Sequence, residues 1–266
     1  MKAKELIKEI QSRAAAPEIT CDTIKSGDEN KEIHKVAVAM FPTIKLIKEV
    51  SKWGADMLLI HEPTYYNHLE AGPQTPLVKA KKELIEKSGL VIYRHHDRMH
   101  AEDPDGIAEG ELHYLGLRGK VKKTPHFASY ILTLDEEMSP LEIARLFEDK
   151  LGVKKVRIAG NVTEKIKNVA LCFGSPGGIF ELISDDGVDA MLIGEVCEWQ
   201  ICEYARDSTE LGINKSVLAI GHIGSERDGM RLLAKRLDEK HDDLEILYFE
   251  CGEVYNYLDK YEGEKI

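Results

Sequence analysis

The sequence is poor in cysteine: Cys21, Cys172, Cys197, Cys202 and Cys251 are its five, an odd number with no CxxC pair. Two of them sit inside apolar runs, so they read as buried thiols of a reducing cytosol, and a disulfide-stapled secreted domain is set aside. Positive charge is scarce too. With 36 Lys and Arg against 47 Asp and Glu the formal net charge is −11, which argues against a general nucleic-acid or anionic-membrane surface, because such surfaces need clustered cations. No apolar run reaches the length of a membrane span. The first residues, MKAKELIKEIQSRAA, lack the uninterrupted apolar stretch of a signal peptide and read as an amphipathic helix with Leu6, Ile7 and Ile10 on one side. A cytoplasmic protein with no membrane or nucleic-acid partner is expected.

Several motifs are missing as well. There is no GxSxG elbow, no GxxxxGK[ST] loop, no HExxH and no GxGxxG opening a helix, which removes the common serine hydrolase, P-loop, zincin and dinucleotide-binding readings. Gly174 to Gly178, GSPGG, joins a predicted strand to a predicted helix. Its backbone N–H groups suit a phosphate, and a tight turn explains it equally well.

What is present is a folded chain of ordinary make-up, 43% hydrophobic and 31% charged. At 266 residues it exceeds the roughly 100–200 residues of one domain, so two compact α/β units or one large one are expected. Periodicity predicts helix 2–14, strand 34–40, helix 43–53, strand 56–60, helix 75–88 and strand 90–94. A strand at 127–134 and a helix at 139–151, opened by Ser139 and Pro140, lead to strand 168–173, helix 178–185, strand 189–193, helix 197–210, strand 216–220 and helix 225–239. Slid by 133 positions, Val36 to Glu62 lies on Val169 to Glu195 with eight of 27 residues identical, and an offset of 126 lays His96 to His100 on His222 to Glu226. The fold class is therefore α/β, two related halves (residues 1–125 and 126–266) with mainly parallel sheets, flanking helices and a metal cleft between them. The C-terminal segment is free to pack back on the first half.

Parallel strands place functional residues just beyond their C-terminal ends. His61-Glu62, Glu195, His96-x-x-x-His100 and His222-x-x-x-Glu226 all fall at such ends, with His95 and Asp97 alongside. Turns favour Gly, Asn and Asp over His and Glu. Imidazole plus carboxylate is the ligand set of Zn, Fe, Mn, Ni or Co rather than of Ca or Mg. Two ions at close range need a bridging carboxylate, and Glu226 can supply it if a helix begins at His222. One such His pair alone signals little; the set carries the inference. His96-Asp97 resembles the pair of the HD phosphohydrolases, but there it lies on a helix, whereas here it ends the predicted strand LVIYRH.

The same residues carry a family resemblance that runs through nearly the whole chain. VAVAMFPT, GADMLLIHEP, IYRHHDRMH, VALCFGSPGG, LIGEVCEWQICEYA and above all AIGHIGSERDG resemble the NIF-three-like dinuclear metal centre family, often labelled GTP cyclohydrolase type 2 homologues. The last piece matches the family's Gly-His-x-x-[Ser/Thr]-Glu-Arg signature. The resemblance implies that His61, His222 and Glu226 hold one divalent ion. The second would take the second position of a His-His pair, the Asp of a His-x-x-x-Asp motif and the shared Glu226. Here those two positions are Glu62 and His100, an exchange that preserves ligand count and formal charge. Asp97 is the alternative to His100. His96 matches a pocket histidine that is not a ligand and is a candidate acid or base together with Glu226, while Glu195 reads as an orienting or pocket residue.

The resemblance further implies a homo-oligomer, a ring-shaped hexamer. The function expected is that of a metal-dependent hydrolase with two divalent ions, acting on a nucleotide or other small molecule, with Arg94, Arg98 or Arg227 meeting an anionic substrate. The alternatives are a metal-handling or regulatory binding protein without turnover, and a scaffold whose ions are structural.

Overall fold

The computed structural model describes residues 1–69 and 74–257, so the last nine residues of the second half lie outside the described residues. In chain order the elements are α1 (Ala3–Gln11), β1 (Ile24–Ser26), β2 (Lys35–Ala39), α2 (Ile44–Trp53), β3 (Met57–Ile60), α3 (Pro76–Ser88), β4 (Val91–Arg94), α4 (Asp97–Ala101), α5 (Gly106–Leu115) and β5 (Gly119–Lys123). There follow β6 (Tyr130–Met138), α6 (Pro140–Leu151), β7 (Arg157–Gly160), β8 (Ile166–Cys172), α7 (Ile179–Ser184) and β9 (Ala190–Ile193). A π-helical turn (Glu198–Cys202) then runs into α8 (Glu203–Glu210), β10 (Ser216–Ala219), α9 (His222–Asp238) and β11 (Glu245–Tyr248).

Two sheets result, ordered β1-β4-β3-β2-β11 and β7-β10-β9-β8-β6-β5. Strands β4, β3, β2 and β11 of the first and β10, β9 and β8 of the second are parallel, while β1, β7 and the β6-β5 hairpin pair antiparallel to β4, β10 and β8. The central strands MLLI and AMLI are buried at every position, because helices or the facing half cover both sides of a parallel sheet. Each such side chain contributes about 1.5–3 kcal/mol on full burial.

The halves are structural repeats down to single hydrogen bonds. Val36 pairs with Met57 as Val169 pairs with Ala190, which is the 133-residue offset. Asp56 Oδ2 accepts from the backbone N–H groups of His34 and Lys35, and Asp189 Oδ2 accepts from those of Lys167 and Asn168. The offset of 126 needs correction by one residue. Val91 and Ser216 occupy equivalent register positions, and α4 opens at Asp97 as α9 opens at His222, so both strand and helix fix the offset at 125. His222 thus stands where Asp97 stands in the first half.

The ends of the chain tie the halves together: β5 pairs with β6, and β11 pairs in parallel with β2. Helices α5 and α9 cross closely. A Cβ on Gly110 would meet Gly229 Cα at 2.4 Å, so only glycine permits the approach. This crossing holds the N-terminal end of α9 over the ends of β3 and β4.

Candidate metal centre

Three strand ends build the site. Beyond β3 the backbone N–H groups of His61 and Glu62 both donate to Met40 O, at 3.2 and 3.0 Å, which folds the chain sharply where these side chains emerge. Beyond β4 the expected strand stops at Arg94, and His96-Asp97 instead opens α4. That helix has no cap of its own. Asp22, buried and far upstream, accepts the N–H groups of His96 (2.7 Å), Asp97 (2.9 Å) and Arg98 (2.9 Å), satisfying donors a helix start leaves open. Beyond β10 the left-handed Gly221 starts α9 at His222, so His222 and Glu226 lie one turn apart on one face.

The five expected ligands gather around Glu226. Its Oε2 lies 3.7 Å from His61 Nε2 and 3.1 Å from His222 Nε2, and its Oε1 lies 3.9 Å from His100 Nε2. His222 Nε2 also donates to Glu62 Oε1 at 2.9 Å. One oxygen faces one pair of histidines and the other faces a third, the disposition of a carboxylate able to bridge. Ligand-type atoms of His61, Glu62 and Glu226 lie within 4.8 Å of one another, as do those of His61, His96 and His100. His96 is therefore as close to the cluster as His100, its ring stacked on His61 at 4.6 Å. Asp97 belongs to neither group.

Each imidazole is held at its other nitrogen. His61 Nδ1 donates to His95 O (2.9 Å), His100 Nδ1 to Asp105 Oδ2 (3.0 Å), His222 Nδ1 to Glu195 Oε1 (2.7 Å) and His96 Nδ1 to Asp97 Oδ1 (2.9 Å). Such partners orient ligating histidines in metal sites. Asp105 was not foreseen. It caps α5 with Oδ1 and takes His100 and the Tyr130 hydroxyl on Oδ2; the Asp-Gly step before α5 was the available signal.

Charge states follow from the surroundings. Burial, with His96 and His100 nearby, holds His61 well below the usual imidazole range, so its Nδ1 keeps the proton and Nε2 presents a lone pair. That lone pair faces Glu226 Oε2 and is buried without a hydrogen-bond partner, whereas Glu226 Oε2 has His222 Nε2 at 3.1 Å. Such an unpartnered group costs about 1–3 kcal/mol. For His100 burial works downward, but Asp105, Glu226 and Glu62 outweigh it and push it up to about 9. Burial is likewise outweighed at His222, where Glu226 and Glu62 hold the imidazolium form. Protons thus sit where cations would neutralise the same carboxylates.

The arginines do other work than meeting a ligand. Arg94 is fully buried; its Nε donates to His61 O and its Nη1 to His68 O, both at 2.7 Å, with Glu62 Oε2 at 3.5 Å from Nη2. Arg98 faces Asp22. Arg227 binds Leu151 O and pairs with Asp228, Glu250 and Glu253, tying α9 to the C-terminal segment. Ser225 of the same signature accepts the Gly174 N–H at 3.0 Å. The GSPGG stretch is a loop of bends that joins β8 to α7. A Cβ on Gly174 would lie 2.0 Å from Glu226 Oε1, and the loop gives the carboxylate its room.

The cluster opens into a pocket of about 770 Å³ walled by Tyr66, Phe127 and Phe173, a size suited to small molecules. No Lys or Arg lines it among the described residues. Tyr66 and Ala128, the two non-glycine residues with positive φ among those described, both line it, as strained residues often do at functional sites.

Comparison with known proteins concerns the chain as a whole. The profile described as Duf34/NIF3 (NGG1p interacting factor 3) matches residues 1–253. A Clostridium perfringens protein named GTP cyclohydrolase 1 type 2 homolog is 28% identical over 228 residues, 83% of this chain and 84% of that one. Among solved structures, a Bacillus cereus protein related to NIF3 superposes with a TM-score of 0.76 at 15% identity, over 97% of this chain and 99% of that one. HcgD from Methanocaldococcus jannaschii, in the reduced state, superposes with a TM-score of 0.70 at 20% identity, over 93% and 97%. These likenesses show a shared fold.

Proposed function

The chain belongs to the Duf34/NIF3 family, and from that premise we propose that its pocket holds two divalent ions of the Zn, Fe, Mn, Ni or Co class and serves a metal-dependent hydrolase acting on a small molecule. His61, His222 and Glu226 hold one ion; Glu62, His100 and Glu226 hold the other. The observation that carries this reading is the buried, unpartnered lone pair on His61 Nε2, which faces Glu226 Oε2 at 3.7 Å. A cation between the two would satisfy both. The relatives' name points to a nucleotide substrate, but among the described residues no Lys or Arg lines the pocket to meet a triphosphate. A compact substrate with a carbonyl or phosphoryl group fits better.

Two bound ions would polarise such a group and acidify water near neutral pH. The protein's own residues position and move protons. The His95 carbonyl, Asp105 and Glu195 aim the imidazoles of His61, His100 and His222. Asp97 holds His96 by Nδ1, leaving it to take up or deliver a proton on the pocket side. The chain is further proposed to act as a homo-oligomer, a hexamer as the family resemblance implies, which light scattering on the purified protein tests.

Elemental analysis of protein purified without chelator or affinity-tag nickel tests the metal reading. Near two ions per chain, falling sharply in Glu226→Ala, supports it; little metal in either refutes it. A screen of the loaded protein against phosphoesters, amides and nucleotides then tests turnover.

A further inference from the structure

His96 belongs to a second group of ligand-type atoms. Cys21 Sγ, His68, His96 and Asp97 each place one such atom within 4.8 Å of the others. Three of them converge on one oxygen, Asp97 Oδ1: His96 Nδ1 at 2.9 Å, Cys21 Sγ at 3.5 Å and His68 Nε2 at 3.9 Å. A tetrahedral ion with sulfur at about 2.3 Å and N or O at about 2.0–2.2 Å sets its ligands roughly 3.3–3.8 Å apart. The three distances to Asp97 Oδ1 bracket that spacing, and the remaining pairs lie within 4.8 Å.

The surroundings fit a site better than a lone buried thiol. Asp97 Oδ2 is fixed by the Thr20 hydroxyl (2.8 Å) and the Cys21 N–H (3.0 Å), which leaves Oδ1 for the group. The buried Arg94 anchors His68 through its carbonyl, while the His68 ring is 55% exposed. Cys21, by contrast, is buried, with its Sγ 3.9 Å from Asp22 Oδ1 and 3.5 Å from Asp97 Oδ1. One ligand faces solvent and the others face inward.

We propose that Cys21, His68, His96 and Asp97 form an outer site for a borderline-soft divalent ion such as zinc, cobalt or ferrous iron, through which ions reach the inner cluster. Binding releases the Cys21 thiol proton to solvent and moves the His96 proton from Nδ1 to Nε2. His96 also stands beside His61 and His100, so its ring alone separates an ion held outside from the inner cluster. Only this hand-over rests on the inner ion site proposed above.

Cobalt(II) is the probe, since thiolate ligation gives a near-ultraviolet sulfur-to-cobalt charge-transfer band that nitrogen and oxygen ligands lack. Metal-free full-length protein is titrated anaerobically as wild type, Glu226→Ala, Cys21→Ser and His68→Ala. The band is expected to persist in Glu226→Ala, to vanish in Cys21→Ser, and in the surface variant His68→Ala to need at least about tenfold more cobalt, the lower end of what loss of a supporting group costs. In wild type given less than one equivalent, the band should fade while bound cobalt stays constant. No band in Glu226→Ala, or an equal band in Cys21→Ser, overturns the outer site. A band equally lasting in wild type and Glu226→Ala overturns the hand-over, whereas failure of the inner site alone shows as cobalt stoichiometry unchanged by Glu226→Ala.

Discussion

Replacing Gly174 by alanine adds one methyl group at the point where the fold leaves room for Glu226. Its Cβ would lie 2.0 Å from Glu226 Oε1 and 2.7 Å from Cδ, where carbon and oxygen approach to about 3.3 Å in even the tightest common contacts. Gly174 also has φ +65°, and holding alanine in that left-handed region costs about 1–2 kcal/mol. The clash falls on the end of a side chain, so the carboxylate swings aside while the fold survives. At about 2–4 °C per kcal/mol for a chain of this size, the expected fall in Tm is about 2–8 °C. Ion affinity should fall by at least about tenfold, because disturbing only the groups that support metal ligands already costs 10–100-fold. Competition with a chromophoric chelator reads the affinity. Gly177→Ala is the control, since its Cβ meets nothing within 4 Å. Wild-type affinity in Gly174→Ala, or an equal loss in Gly177→Ala, refutes the reasoning.

Other predictions bear on the same site. In the ion-free protein His100 is raised to about 9 and His222 is raised too, so ions must displace protons. Apparent affinity should climb with pH across neutrality, and calorimetry in buffers of different ionisation enthalpy should detect proton release; pH-independent affinity contradicts this. Asp105→Asn keeps a good helix cap but removes the charge behind His100, and should weaken one ion by about 10–100-fold with little change in Tm. Glu62→His combined with His100→Asp should keep two ions per chain while each single change weakens one; equal binding in all three variants sinks the compensation. Arg94→Met strands Glu62 and two carbonyls, and chemical denaturation should show a loss of about 3–5 kcal/mol.

The sequence announces whatever is local and periodic. Strands β2, β3, β4, β8, β9 and β10 are near-continuous apolar runs, and their ends point to His61, His100 and His222. Elements held by distant partners are silent. The three-residue β1 pairs with β4 through an irregular register, β5 is exposed throughout, and β11 finds its neighbour β2 from the far end of the chain. Helix α4 has no start signal of its own because Asp22 supplies the cap from 74 residues upstream. The partners of the arginines are silent for a similar reason: charge alone does not tell that Arg94 spends its donors on the carbonyls of His61 and His68. Cys21 read as inert because its neighbours Asp97 and His68 arrive only through the fold.

The most direct test of the dinuclear account is anomalous diffraction from crystals of the protein loaded with manganese or zinc. Two peaks flanking Glu226, one toward His61 and His222 and the other toward His100 and Glu62, are predicted. A single peak, or peaks with no contact to Glu226, would contradict it.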